Sequence, residues 1–230
     1  MTKRIAPNHI RWRKIDKAVV ILDLRTEGYY VLDPIATAMW DGILSGVDVV
    51  MDLHQRFGGE RERIQADFDA FVGRSILQGF LAVEETPARV VGSHRPRVSR
   101  KSFLMLRAWW SLFRTCRMLV RKGFRVTYES YAVIPKPEPT PDVGERLAEA
   151  IAAFAKAENF FHMKKAPQDC LPRSLALYRF LRSVGIPAEH CIGVRRFPFG
   201  AHAWVEHQGK VVHDHPAQPT VFAELARVIA

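Results

Sequence analysis

The heptapeptide Gln168-Asp169-Cys170-Leu171-Pro172-Arg173-Ser174 sets a cysteine on the first turn of a helix. Apolar residues then recur at Leu171, Leu175 and Tyr178 and at Leu177, Leu181 and Val184, a helical period. Asp169 suits the N-cap, and Pro172 is tolerated where first-turn N–H groups have no intrahelical partner. Gly185 and Pro187 stop the helix. A thiol at a helix N-terminus lies in the positive end of the peptide dipole, which favours the nucleophilic thiolate. The competing reading of a lone cysteine is a buried structural thiol.

Two downstream segments bear on that choice. Gly200-Ala201-His202-Ala203-Trp204-Val205-Glu206 predicts a strand carrying a histidine, and Lys210-Val211-Val212-His213-Asp214 predicts the next one. Cys170, His202 and Asp214 can serve as nucleophile, base and orienter of the base. A His207-Gln208-Gly209 loop would set His202 opposite Asp214; a two-residue Gln208-Gly209 turn would set Ala203 there instead. The first register is expected. Trp204 shares the strand face of His202 and reads either as a platform beneath the site or as a plain core aromatic. Cys116 and Cys191 sit in apolar contexts and read as inert core. A metal set of His213, Asp214 and His215 with His202 and Cys191 is the rival constellation, disfavoured because no Cys-x-x-Cys pair or His-Glu-x-x-His helix is present and His213 and His215 would point away from Asp214 on a regular strand. The Cys170 N–H and the Gln168 side chain are candidate oxyanion donors.

Cys170-Leu171-Pro172-Arg173-Ser174-Leu175-Ala176-Leu177, His202-Ala203-Trp204-Val205-Glu206 and Asp214-His215-Pro216 together resemble the leader peptidase of lasso-peptide biosynthesis, the B protein. That resemblance implies a thiol peptidase that binds the leader of a ribosomally made precursor and hydrolyses the leader–core bond. It also implies a partner, an asparagine-synthetase-like cyclase that closes the macrolactam. The chain has no Gly-x-x-x-x-Gly-Lys phosphate loop, so no cofactor is assigned to it and ATP dependence is expected only through that cyclase. An acyltransferase or transglutaminase using the same three residues, and a non-catalytic leader-binding scaffold, remain open.

The net charge of +10 over 230 residues raises nucleic acid as a ligand. Its distribution answers. Residues 1–85 hold 11 Lys/Arg against 13 Asp/Glu, residues 141–230 hold 11 against 9, and residues 86–140 hold 12 against 2. The excess lies in one connecting segment, and a DNA-binding winged helix needs a positive surface of its own. Three sparse cysteines and no signal-peptide pattern at Met1–Pro7 lead to an expectation of a reducing cytoplasm.

The N-terminal third alternates as three strands, Ile10–Arg13, Ala18–Asp23 and Tyr29–Leu32. Asp33-Pro34 opens a helix that Gly46 closes, a short helix follows to Phe57, and a third runs from about Glu60 to Leu77 with Ile64, Phe68, Phe71, Val72 and Ile76 inward. The pattern is winged-helix-like and resembles the small leader-binding domain related to the pyrroloquinoline-quinone chaperone. That likeness places a peptide on the edge of Tyr29, Tyr30, Val31 and Leu32, against Asp67, Phe71, Arg74 and Ser75 on the third helix.

The expected class is therefore α+β. A recognition domain spans 1–85, a basic linker 86–101, and a transglutaminase- or papain-like peptidase domain 102–230. Residues 102–122 predict an amphipathic helix with Phe103, Leu106, Trp109, Trp110, Phe113, Cys116, Met118, Leu119 and Val120 as its apolar stripe, expected to face the core. The alternative is a peripheral contact with an anionic membrane or a partner. Residues 123–141 read as a proline-rich spacer, 142–161 as a helix, and 222–229 as a weak helix.

Overall fold

The computed structural model describes residues 4–83, 103–138, 142–161 and 170–228. The chain forms two compact units, Met1–Val90 and Val91–Ala230. The expected linker at 86–101 lies outside the described residues, as do Gln168 and Asp169.

The first unit builds a short antiparallel pair, β1 (Arg4–Ile5) with β5 (Ala82–Val83), beside a three-stranded antiparallel sheet of β2 (Ile10–Ile15), β3 (Ala18–Asp23) and β4 (Gly28–Val31) in that order. Every residue of β3 is buried, as expected for the middle strand. Helices α1 (Pro34–Ser45), α2 (Val49–Phe57) and α3 (Arg61–Leu77) cover it. The Asp33 carboxylate accepts the Ala36 N–H at 2.7 Å and caps α1 with Pro34 at its first position. Gly46, at φ 74°, closes α1 in the left-handed conformation that glycine adopts without penalty. Asp48 caps α2 through the Met51 N–H. Ile10, Val19, Ile21, Trp40, Phe80 and Leu81 form the main core, and Ile64, Phe68 and Phe71 pack on a second cluster around Met39 and Leu53. Ile76, expected inward, is 46% exposed.

The second unit packs helices against one face of an antiparallel sheet. Helix α4 (Leu104–Ala132) is broken at Gly123, whose φ of 74° and ψ of 173° are not helical. Helices α5 (Val143–Phe161) and α6 (Cys170–Ser183) follow. The sheet runs β8 (Lys210–Val212), β7 (Gly200–His207), β6 (Glu189–Arg195) and β9 (Ala223–Val228), with the short helix α7 (Gln218–Val221) before β9. On the two inner strands and β9, Arg227 bonds Glu189 at 2.6 Å, Glu206 at 2.9 Å and Glu224 at 2.5 Å, an ionic cross-tie at the end of the sheet.

Three expectations change here. Residues 124–132 are helix, not spacer: Phe124, Thr127, Tyr128 and Tyr131 recur at helical spacing and are buried. The 222–229 segment is strand β9, because pairing with β6 buries Leu225, Ala226 and Val228 and overrides a weak helical preference. The aromatic stripe of 103–122 points outward. Trp110 is 52%, Leu106 58% and Val120 88% exposed, while Ala108, Ser111, Leu112 and Thr115 face inward. Those smaller side chains let α4 approach α6 closely enough for the Ser111 hydroxyl to donate to the Ala176 carbonyl at 2.8 Å. Among the described residues no helix is long and apolar enough to cross a membrane.

Candidate active site

Cys170 opens α6, where first-turn N–H groups point out of the helix and favour negative charge. One turn on, the buried Ser174 hydroxyl lies 2.9 Å from His190 Nε2 and ties the start of α6 to β6. Burial holds His190 neutral, its pKa lowered to about 3. His202 lies on β7 with its Nε2 2.8 Å from Asp214 Oδ2. A hydrogen bond to Cys170 is the largest influence on His202; despite desolvation, and with Asp214 adding to it, the imidazole is shifted toward its protonated form. With Nε2 taken by Asp214, Nδ1 is the nitrogen left for the thiol. The three expected residues are thus brought together, in the order thiol, imidazole, carboxylate.

Asp214 is held on both oxygens. Its Oδ1 accepts the His215 N–H at 2.6 Å and the Gln218 Nε2 at 3.2 Å, and its Oδ2 faces His202. Burial opposes its ionisation, but these donors outweigh it and hold the carboxyl below its usual range. Gln218 was not legible in the sequence, since a glutamine on a four-residue helix after Pro216 carries no periodic signal.

The register of the carboxylate strand differs from expectation. β7 and β8 pair Val205 with Val212, Glu206 with Val211 and His207 with Lys210, so the turn is the two-residue Gln208-Gly209. Both turn residues have positive φ, 50° and 73°, as the type I′ turn requires. A straight continuation would set Asp214 opposite Ala203, on the face away from His202. The chain does not continue straight. β8 ends at Val212, and His213 adopts φ 58°, which turns Asp214 back to His202.

Trp204 lies beneath the imidazole, ring centroids 6.3 Å apart and planes 13° apart, with its indole N–H donated to Glu206 at 2.8 Å. Glu206 is buried in the Arg227 network and does not reach His202's partners. Phe222 flanks His202 at 5.5 Å, and Gly193, paired across the sheet with His202, leaves room for Trp204. Neither was singled out from the sequence. A small pocket at Cys170 and Asp214 is walled by Arg173, Leu177, Ala203 and Val212. Burial pushes the Cys191 thiol strongly up, away from reactivity. None of the three cysteines is in a disulfide. Among the described residues no group of three His, Cys, Asp or Glu is placed to hold a metal ion.

In the first unit, β4 is a sheet edge with no further strand beside it among the described residues. The Leu32 N–H donates to Val19 at 2.8 Å, so by alternation the Val31 N–H faces away from β3. Tyr30 and Val31 are 38% and 46% exposed, and Tyr29 and Leu32 half-buried. Asp67 and Arg74 are exposed on α3, and Phe71 packs in the core. Ser75, expected in the peptide groove, is buried and does not present its hydroxyl at the surface.

Residues 110–227 match the model of the transglutaminase-like superfamily, and residues 18–81 match that of coenzyme PQQ synthesis protein D. The microcin J25-processing protein McjB of Escherichia coli is 41% identical over 68 residues, covering 30% of this chain and 33% of the relative. The chain thus spans about a third of the length of that curated relative. Two solved structures are similar over 35% of this chain and 98% of theirs. One is TbiB1 in complex with the TbiA(beta) leader peptide, at 20% identity and a TM-score of 0.32. The other is lasso peptide synthetase B1 complexed with the leader peptide, at 24% and 0.33. The chain belongs to the transglutaminase-like superfamily, with a PqqD-type domain ahead of it, the pairing of the lasso-peptide B proteins that its motifs resemble.

Proposed function

We propose that the protein is a thiol peptidase that removes the leader from a lasso-peptide precursor before a partner cyclase closes the macrolactam. The observation that carries this reading is His202 placed between a thiol at a helix N-terminus and a fixed carboxylate. Cys170 Sγ attacks the scissile carbonyl while its proton passes to His202 Nδ1. The imidazolium returns that proton to the departing core amine, leaving the leader as a Cys170 thioester. His202 then takes a proton from water, whose oxygen displaces the thiolate and frees the leader acid. Asp214 keeps the tautomer and stabilises the imidazolium. The first-turn N–H groups of α6 are the candidate donors to the oxyanion.

Leader recognition belongs on the edge of β4, where an extended peptide adds as a further strand. Asp67 and Arg74, exposed on α3, are the charged groups assigned to its side chains. The outward face of α4 carries Trp109, Trp110 and Phe113 with Arg114, Arg117 and Arg121, and no acid occurs between Phe103 and Tyr128. That composition suits peripheral contact with an anionic bilayer. ATP consumption, where it enters, is assigned to the cyclase.

The test is incubation with precursor, cyclase and ATP, read by mass spectrometry. Free leader acid is the expected product. Leader joined to an added amine would instead make the protein an acyltransferase. Product formation insensitive to thiol alkylation would leave it a leader-binding scaffold.

A further inference from the structure

The Glu158 carboxylate on α5 accepts from Arg173 Nε at 2.5 Å through Oε1 and faces His213 Nε2 at 2.9 Å through Oε2. Arg173 lies one turn beyond Cys170 on α6, and its guanidinium also reaches the His213 carbonyl at 3.4 Å. The His213 ring packs edge-on against Phe154 of α5, 5.6 Å between centroids. So three side chains from two helices grip the residue whose φ of 58° returns Asp214 to His202. A non-glycine residue seldom adopts that conformation, and its surroundings hold it there.

We propose that Glu158 and Arg173 are positioning residues: they clamp His213 in the left-handed conformation, and through it they aim the Asp214 carboxylate at His202. The clamp deepens the proposed function, because it rests on Asp214 as the orienter of His202. It explains how a two-residue turn, which would carry Asp214 to the wrong face, still yields the triad. It also couples the start of α6 to the end of β8, so nucleophile and orienter share one anchor. Burial opposes ionisation of Glu158, but His213 and Arg173 together hold it below the usual carboxylate range.

The test is the titration of His202 followed by NMR in the full chain, with the pH profile of precursor cleavage beside it. Glu158→Gln keeps the side chain's volume and removes its charge. It should move the His202 midpoint down, as expected when a paired charge drifts away. It should also lower kcat by roughly 10–100-fold with KM unchanged, by analogy with loss of the outer partner that orients a metal-ligating histidine. His213→Asn, which tolerates positive φ, should keep more of the His202 shift than His213→Ala. Should His213→Ala fail to fold, Glu158→Gln gives the same readout. A lowered melting temperature with unchanged His202 titration and pH profile in Glu158→Gln would reduce the cluster to a structural tie and overturn the clamp. Asp214→Asn separates this from failure of the site: a shift there but none in Glu158→Gln refutes the clamp and leaves the triad, whereas no shift in either removes Asp214 as orienter.

Discussion

Gly193→Ala tests the ring platform under His202. A Cβ at Gly193 would stand 2.7 Å from Cη2 and Cζ3 of Trp204 and 2.9 Å from the Cβ of Phe222. Trp204 is 1% exposed and its indole is tied to Glu206, so it has no direction in which to swing. Phe222 follows α7 directly and is anchored through its N–H to the Gln218 carbonyl at 2.9 Å. Overpacking of this kind costs about 1–3 kcal/mol. For a unit of this size, ~2 kcal/mol lowers the melting temperature by roughly 4–8 °C. The same two rings flank His202, at 6.3 and 5.5 Å, so relief of the clash displaces the imidazole. Since an ångström of misplacement costs on the order of 10²-fold, a smaller displacement should lower the cleavage rate roughly tenfold. The assay is thermal unfolding together with single-turnover cleavage well below the transition. Gly144→Ala is the control: its Cβ meets nothing within 4 Å, and in helix α5 it should stabilise by up to about 1 kcal/mol. A Gly193→Ala protein with wild-type melting temperature and wild-type rate would refute the reasoning.

The pH dependence follows from the signs of two shifts. His202 is raised, so its share of stability is complete below its unfolded value and is lost as pH rises through the folded one; Asp214 is lowered, so its share is present above its unfolded value and is lost as pH falls through the folded one. Asp214→Asn should therefore move the alkaline limb of the cleavage profile to lower pH, and an unmoved limb would assign that limb to another group. Residues 1–85 expressed alone should bind the leader peptide and 102–230 should not, with Val31→Pro weakening binding without unfolding the sheet, because the Val31 N–H faces away from β3; equal affinity of both fragments in calorimetry would move recognition elsewhere. Vesicles rich in anionic lipid should float with the full chain and lose it when Trp110 and Leu106 become Glu; flotation that survives both substitutions would exclude the α4 face.

The parts of this fold legible in the sequence are those written in local chemistry. Asp33-Pro34 and Gly46 bound α1 because a cap, a fixed φ and a left-handed closure are single-residue properties. Cys170 and His202 were legible because a helix start and a strand place those side chains without reference to the rest of the chain, whereas Asp214 reaches His202 by a route that strand alternation does not contain. What was not legible depends on partners distant in sequence. The outward stripe of α4 and its inward Ala108, Ser111 and Thr115 follow from how closely α6 approaches, and hydropathy alone ranks those faces the other way. The strand at Ala223–Val228 exists because β6 is there to pair with it. The turn at Gln208-Gly209 and the kink at His213 were two local departures with opposite effects, and only together do they restore the expected contact.

The central claim is that Cys170 is the nucleophile that releases the leader, and the free leader produced by Cys170→Ala measures it most directly. With precursor, cyclase and ATP supplied, that protein should bind leader as tightly as wild type and release none of it, while Cys191→Ala, whose thiol is buried and held unreactive, should release it normally. Leader release by Cys170→Ala at the wild-type rate would contradict the account.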